Sequence, residues 1–360
     1  MKLFTCTACH QVLFFENVSC TRCGHTLAYL PDRAVVSALQ PVAGSDGTFC
    51  ALSPAADGAR YRLCRNYTEH AACNWAVPAD SSDGLCRACA FNDVIPNLAD
   101  AAAKDAWRRL ERAKRRLLYT LIELGLPLEP RAAGHERGLA FAFKQDVAGD
   151  PVFTGHGDGL ITINIAEADD PFREKMRLQM GEAYRTVLGH FRHEIGHYYW
   201  FRLLDTSPRL DAARRLFGDE SADYKAALDR HYEQGAPADW SARFVSAYAS
   251  MHPFEDFAET WSHYLHMVDT LETARSYGLA LRPAAVGGAA LGEVRARRLD
   301  FDDFDDLMTA WVPLTLALNS LNRGMGLPDL YPFVLSEPAV AKLRFVHDAI
   351  DAAAAAARSG

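Results

Sequence analysis

The sequence predicts an α+β chain, mostly helical, in which two small cysteine-rich modules precede a larger domain organised around one histidine-bearing helix. Three observations predict it. All nine cysteines lie before residue 90, and eight of them fall in two groups with metal-ligand spacing. Two short strand-like runs follow, at 138–143 and 159–166, the second rich in β-branched residues. Beyond them the apolar residues recur almost wholly at helical spacing. A chain of 360 residues exceeds one ordinary core, and the expected divisions are 1–30, 31–96 and 97–360.

Composition sets the outer limits. Hydrophobic residues make up 49% and charged residues 23%, which excludes fibrous and wholly disordered classes. The net charge is −8; residues 1–95 hold seven Lys/Arg against eight Asp/Glu, leaving −7 to the remainder. No polyanion footprint results, and nucleic acid is not an expected partner. The opening MKLFTCTACH has no apolar signal region, and no run approaches the roughly 18 apolar residues that cross a bilayer. A cytoplasmic protein with no membrane partner is expected.

The first cysteine group is Cys6-Thr-Ala-Cys9 and Cys20-Thr-Arg-Cys23-Gly24. Each Cys-x-x-Cys forms a knuckle that aims two thiolates at one ion, and Gly24 allows the sharp turn after the second pair. This is zinc-ribbon spacing, and so small a segment takes much of its folding energy from the metal. The second group is Cys64, Cys73, Cys86 and Cys89, with one proper knuckle and a wider first pair. Read together they form a second structural zinc site, with Asn74-Trp75 covering it; read apart, they are one knuckle plus two core cysteines. Cys50 stands outside both groups and is expected to be a plain buried side chain.

A long helix is expected from Asn97 to Leu126, with an apolar stripe including Trp107, Leu110, Leu117 and Leu121 and a stop at Gly125-Leu-Pro127. Lys104, Arg108, Arg109, Arg112, Lys114, Arg115 and Arg116 are read as its solvated face. Downstream, Asp300, Asp302, Asp303, Asp305 and Asp306 lack the glycine and terminal glutamate of a calcium loop and are expected to cap the next helix. The run Ala352–Ala357 reads as a frayed helical tail.

The segment Tyr184–Leu203 has no proline and carries Leu188, Phe191, Ile195 and Tyr198 at helical spacing, so it is expected to be one buried helix. Within it lies His193-Glu194-Ile195-Gly196-His197. Residues four apart are about 40° apart around a helix, so both imidazoles reach one ion while Glu194 stays free to move protons. His190 is read as structural, and Gly196 implies close approach of a backbone or a substrate, or simple core packing. A single-zinc hydrolase needs one more protein ligand. The stretch from Ser246 to His263 offers Glu255 and Glu259 at i and i+4 on a helix opened by Pro253. One can ligate while the other orients a ligand imidazole. Helix geometry selects Glu255: Asp256 is turned about 100° away, Glu259 lies about 6 Å further along, and His263 is a further turn off.

His193–His197 followed by Glu255-x-x-x-Glu259 resembles the gluzincin pattern of thermolysin-like peptidases and anthrax lethal factor. The arrangement of Tyr248 with Glu255-Asp-Phe-Ala-Glu259 is similar to the lethal-factor version, and that resemblance implies that Tyr248 steadies the oxyanion. As a whole the chain resembles a bacterial family of zinc-binding metallopeptidases with an N-terminal zinc ribbon. The matching stretches are Cys6–Cys23, Cys73–Asp80, Gly189–Trp200 and Leu318–Arg323.

The expected function is peptide hydrolysis by zinc-activated water, with Glu194 as general base, His193, His197 and Glu255 on the catalytic ion and Glu259 behind them. Two structural zinc ions complete the cofactors. A peptide or protein is the expected substrate, and strand 159–166 is a candidate to pair with it. The competing expectation is an adaptor whose ribbons engage a protein partner while the hydrolase site is weak; the intact Glu194 argues against it.

Overall fold

The structure is a computed structural model that describes residues 1–359 apart from 133–134, 136, 148, 181–184 and 284–292. The chain forms two compact units: a ribbon and sheet unit of Lys2–Glu123 with Leu128–Phe172, and a helical unit of Met1, Leu124–Pro127 and Arg173–Gly360. Helix accounts for 47% of the described residues. The expectation of a mostly helical chain therefore gives way to a mixture of helices and sheets.

In the first unit, β1 (Phe4–Thr5) and β2 (Val12–Leu13) form the ribbon's antiparallel pair. An antiparallel meander follows: β3 (Thr26–Leu30), β4 (Val35–Pro41), β5 (Thr48–Ala51), β6 (Arg60–Leu63), then the short helix α1 (Arg65–Thr68) and β7 (Ala76–Pro78). The Tyr29 amide donates to the Asn74 carbonyl at 2.9 Å and Tyr29 pairs in parallel with Trp75, so the sheet closes on itself. It encloses Ala28, Leu30, Leu39, Ala51, Tyr61 and Ala76. Residues 31–96 thus carry a sheet that the reading of a cysteine module did not include. Strand Thr26–Leu30 is buried at four of its five positions, so it lacks the alternation that marks a half-exposed strand.

A second sheet has the order β10-β11-β9-β8. Here β8 is Asn92–Val94, α2 (Ala101–Glu123) follows it, and β9 (Ala140–Lys144), β10 (Gly155–Gly157) and β11 (Leu160–Asn164) come after. β9 runs parallel to both β8 and β11. The two strands expected at 138–143 and 159–166 are present with shifted bounds. A side chain at Gly159, φ +82°, would stand 2.3 Å from the Gly138 carbonyl oxygen, so only glycine fits.

The solvated face assigned to α2 needs correction. Lys114 and Arg115 are buried. The Lys114 ammonium donates to Glu111 at 2.7 Å and to Asn92, and the Arg115 Nε donates to Asn74 at 2.7 Å. Burial of these two cations is supported by a buried carboxylate and amide oxygens, which sequence spacing does not display. Arg109 and Arg112 are exposed as expected.

The helical unit contains most of α3 (Asp170–Met180), then α4 (Val187–Leu203), α5 (Leu210–Phe217), α6 (Tyr224–Gln234), α7 (Pro253–Tyr277), the strand pair β12 (Ala280–Leu281) and β13 (Val294–Arg295), α8 (Phe304–Gly324) and α9 (Glu337–Ser359). Asp303 caps α8 by accepting from the Asp305 and Asp306 amides, as its acidic run implied. α9 continues to Ser359, and Ala354 is buried where a side chain on Gly125 would touch it at 3.4 Å. Among the described residues no helix is long and apolar enough to cross a membrane.

Candidate metal centre

Two helices build the centre. α4 starts where the Thr186 hydroxyl accepts from the Gly189 amide, the capping that helix N-termini require. Phe191, Ile195, Tyr198, Tyr199 and Trp200 are all buried. α7 starts at Pro253, and the His252 ring caps it by accepting from the Phe254 amide at 3.1 Å. The helices cross at Gly196, where an added Cβ would lie 2.9 Å from the Ala258 Cα. The close approach implied by a glycine inside a helix is thus to the backbone of α7.

The crossing faces the polar side chains of both helices toward each other. His193 Nε2 lies 2.9 Å from one Glu255 oxygen, and His197 Nε2 lies 3.5 Å from the other. Glu259 sits on the opposite edge of the His193 ring, 2.7 Å from Nδ1, and accepts from the Ser246 hydroxyl at 2.6 Å. Phe254 stacks on His197 with centroids 4.7 Å apart and planes at 14°. The Tyr224 hydroxyl donates to Glu255 at 2.8 Å. The Tyr248 ring is 6.0 Å from that of His193.

Electrostatics follow from the burial of these groups. Burial opposes charge on His193, but hydrogen bonds to Glu255 and Glu259 outweigh it and hold the ring well above its ordinary pKa. Burial likewise opposes charge on Glu255, yet the His197 charge and hydrogen bonds from both histidines hold it well below the usual carboxylate range. Glu194 is pushed up by burial, with the Glu255 and Glu259 charges adding to the effect and the histidines countering it. Burial and the Glu255 charge raise the Tyr248 phenol.

His193, His197 and Glu255 each offer a ligand atom within 4.8 Å of the others. Two imidazole Nε2 atoms and a carboxylate suit zinc and leave a fourth position open. These three groups would hold a cation, with Glu259 keeping its hold on His193 Nδ1. Asp256 points elsewhere, accepting from Lys342 at 2.6 Å. His263 is 2.7 Å from the Tyr331 hydroxyl. Asn319 in turn holds the Tyr331 backbone from both sides, which gives part of the Leu318–Arg323 stretch a structural role. His190 is depressed to about 3, chiefly by burial, as suits a structural ring.

Sequence reasoning gave no role to Tyr224, Ser246, His252 or Phe254. Ser246, His252 and Phe254 stand inside the stretch that drew attention. Tyr224 had no signal, since it opens a separate helix 31 residues before its partner.

The cysteines form two compact sets in the ribbon and sheet unit: Cys6, Cys9, Cys20 and Cys23, and Cys64, Cys73, Cys86 and Cys89. The sulfur pairs Cys6–Cys23, Cys9–Cys20 and Cys73–Cys86 are each 3.6 Å apart. That is far longer than a disulfide and close to the roughly 3.8 Å edge of a tetrahedron with zinc–sulfur bonds of about 2.3 Å. Gly24 has φ +75° and His10, its counterpart after Cys9, has φ +60°, the turns that close each knuckle. The Trp75 and Cys86 amides donate to the sulfurs of Cys73 and Cys64. Cys50 joins neither set; it is half-buried on β5, donating to the Gly58 carbonyl.

Residues 103–349 match the family described as "Putative zinc-binding metallo-peptidase", and residues 3–100 match a zinc-ribbon domain. Uncharacterized proteins of Mycobacterium tuberculosis and Mycobacterium bovis are each 44% identical over 352 residues, covering 98% of this chain and 96% of the relative. No solved structure matches the chain.

Proposed function

The chain belongs to the zinc-binding metallo-peptidase family, and from that premise we propose that it hydrolyses peptide bonds in a gluzincin-like site, with Glu194 as general base. The observation that supports this reading most is the meeting of His193, His197 and the Glu255 carboxylate at the crossing of α4 and α7, with Glu194 one residue along the same helix. The proposed site works in the cytoplasm, where reduced thiols persist, on a peptide or protein substrate. Two further zinc ions in the cysteine sets complete three per chain.

His193, His197 and Glu255 would hold the catalytic zinc, which supplies Lewis acidity toward water and the scissile carbonyl. The protein's own groups do the rest. Glu194, made receptive to a proton by burial, takes one from the attacking water on a carboxylate oxygen and returns it to the leaving amine nitrogen. Glu259 fixes the His193 ring through Nδ1, and the Phe254 stack fixes the plane of His197. Tyr248, beside His193, is placed by resemblance to donate its hydroxyl proton toward the oxyanion.

The test is to compare wild type with Glu194→Gln on peptide libraries and for cleaved partners trapped from lysate. Hydrolysis should vanish in the variant while zinc content stays unchanged, because Glu194 moves protons and does not ligate. Equal turnover in both would overturn the peptidase reading and favour an adaptor.

A further inference from the structure

Tyr224 is unlike its neighbours. α6 is largely exposed and buries only Ala227, yet the helix begins with a side chain whose hydroxyl reaches the deepest carboxylate of the metal centre. That hydroxyl donates to Glu255 Oε1 at 2.8 Å, the same oxygen that lies 3.5 Å from His197 Nε2. The other Glu255 oxygen faces His193. Glu255 is buried and charged, so both of its oxygens need partners.

The placement of Tyr224 is itself held. The His252 ring packs edge-on against the Tyr224 ring, centroids 5.2 Å apart, and its Nε2 lies 3.0 Å from the Ala222 carbonyl oxygen, two residues before Tyr224. The other nitrogen of the same ring caps α7, two residues before Phe254 and three before Glu255. One histidine therefore ties the start of α6 to the start of α7 and fixes the distance between the phenol and the carboxylate. A phenol has a single proton to give. Tyr224 gives it to Glu255.

We infer that Tyr224 is a positioning residue of the metal centre: its hydroxyl holds Glu255 Oε1 so that the carboxylate meets the ion through its other oxygen. The inference rests on the zinc-site reading above and assigns a residue from outside the two motif helices to that site. Tyr224 leaves Glu255 one oxygen for the metal, which keeps a coordination position open for water and substrate. Glu259 does the corresponding work on His193 from the other side.

The experiment uses the full-length chain with Tyr224→Phe, which keeps the ring against His252 and removes only the hydroxyl. Zinc affinity is read by competition with a chelator, cobalt(II) substituted at the catalytic centre reports coordination through its visible absorption, and peptide turnover is followed where a substrate has been found. The expected result is a zinc affinity weakened about 10–100-fold at the catalytic centre, two ions retained by the cysteine sets, and an altered cobalt spectrum. In turnover, kcat should fall with KM little changed. Tyr248→Phe should leave zinc affinity and the cobalt spectrum as in wild type. Unchanged affinity and spectrum in Tyr224→Phe would overturn the inference. Loss of all three ions would also overturn it, since Tyr224 would then support the fold and not the site. Zinc and cobalt readouts need no peptide substrate. Failure of the peptidase reading, seen as Glu194→Gln without effect, is therefore separate from failure of this one.

Discussion

Glu255 and Glu259 differ by one helical turn, and that turn gives them different atoms of the same imidazole: Nε2 for Glu255 and Nδ1 for Glu259. Glu255→Ala should therefore strip the ion from the helical centre while both cysteine sets keep theirs. Glu259→Ala should weaken zinc binding by about 10–100-fold without abolishing it. Elemental analysis after mild dialysis against a chelator separates the two. His263 carries a second prediction. Burial holds its pKa down at about 4, against about 6.5 in an unfolded chain. Between those values the unfolded chain binds a proton that the folded chain refuses. Stability is thus full above pH 6.5 and declines as pH falls toward 4, by about 3 kcal/mol from this one ring. Denaturant unfolding across that window should show a shallower loss in His263→Gln than in wild type. At this scale the sequence displayed the histidines and glutamates because helical spacing alone puts them on shared faces. It could not display Tyr224 or Ser246, whose roles depend on where α6 and the turn before α7 are carried in space.

Among elements, the crossing of α4 and α7 governs the site. Gly196→Ala would raise helix propensity by up to about 1 kcal/mol, but the new methyl would press on the Ala258 backbone and the Trp261 Cβ. Neither neighbour is the free end of a flexible side chain, so overpacking of about 1–3 kcal/mol prevails. Thermal unfolding should show a lower Tm, and zinc should bind more weakly, because the helices separate along the line where the ligands meet. An unchanged Tm would mean that the crossing has slack. Helices were legible from apolar residues at helical spacing, as in α2, α4 and α7, and in the second sheet β11 was legible from its β-branched residues. The closed meander was not, because its strands are short and several are buried on both faces. The buried Lys114 was not legible either. A cation on a helix reads as solvated until Glu111, Asn92 and the rings of Phe141 and Phe143, 5.5 Å away, are known to surround it.

For the whole molecule the expected metal content is about three zinc ions per chain, two held by four sulfurs each and one by two imidazoles and a carboxylate. Elemental analysis of the purified chain checks this, and a reproducible value of one would remove both cysteine sites. The division of labour is visible in the ligands' positions along the chain. Both cysteine sets draw every sulfur from residues 6–89, whereas the helical centre cannot exist until Glu255 has been made, 166 residues after Cys89. At a ribosome working at roughly 5–20 residues per second, that separation corresponds to about 10–30 s. During synthesis the sulfur sites therefore have first access to whatever zinc the cell has free. A chain made under scarcity would leave the ribosome with its ribbon loaded and its histidine–glutamate centre still waiting for metal.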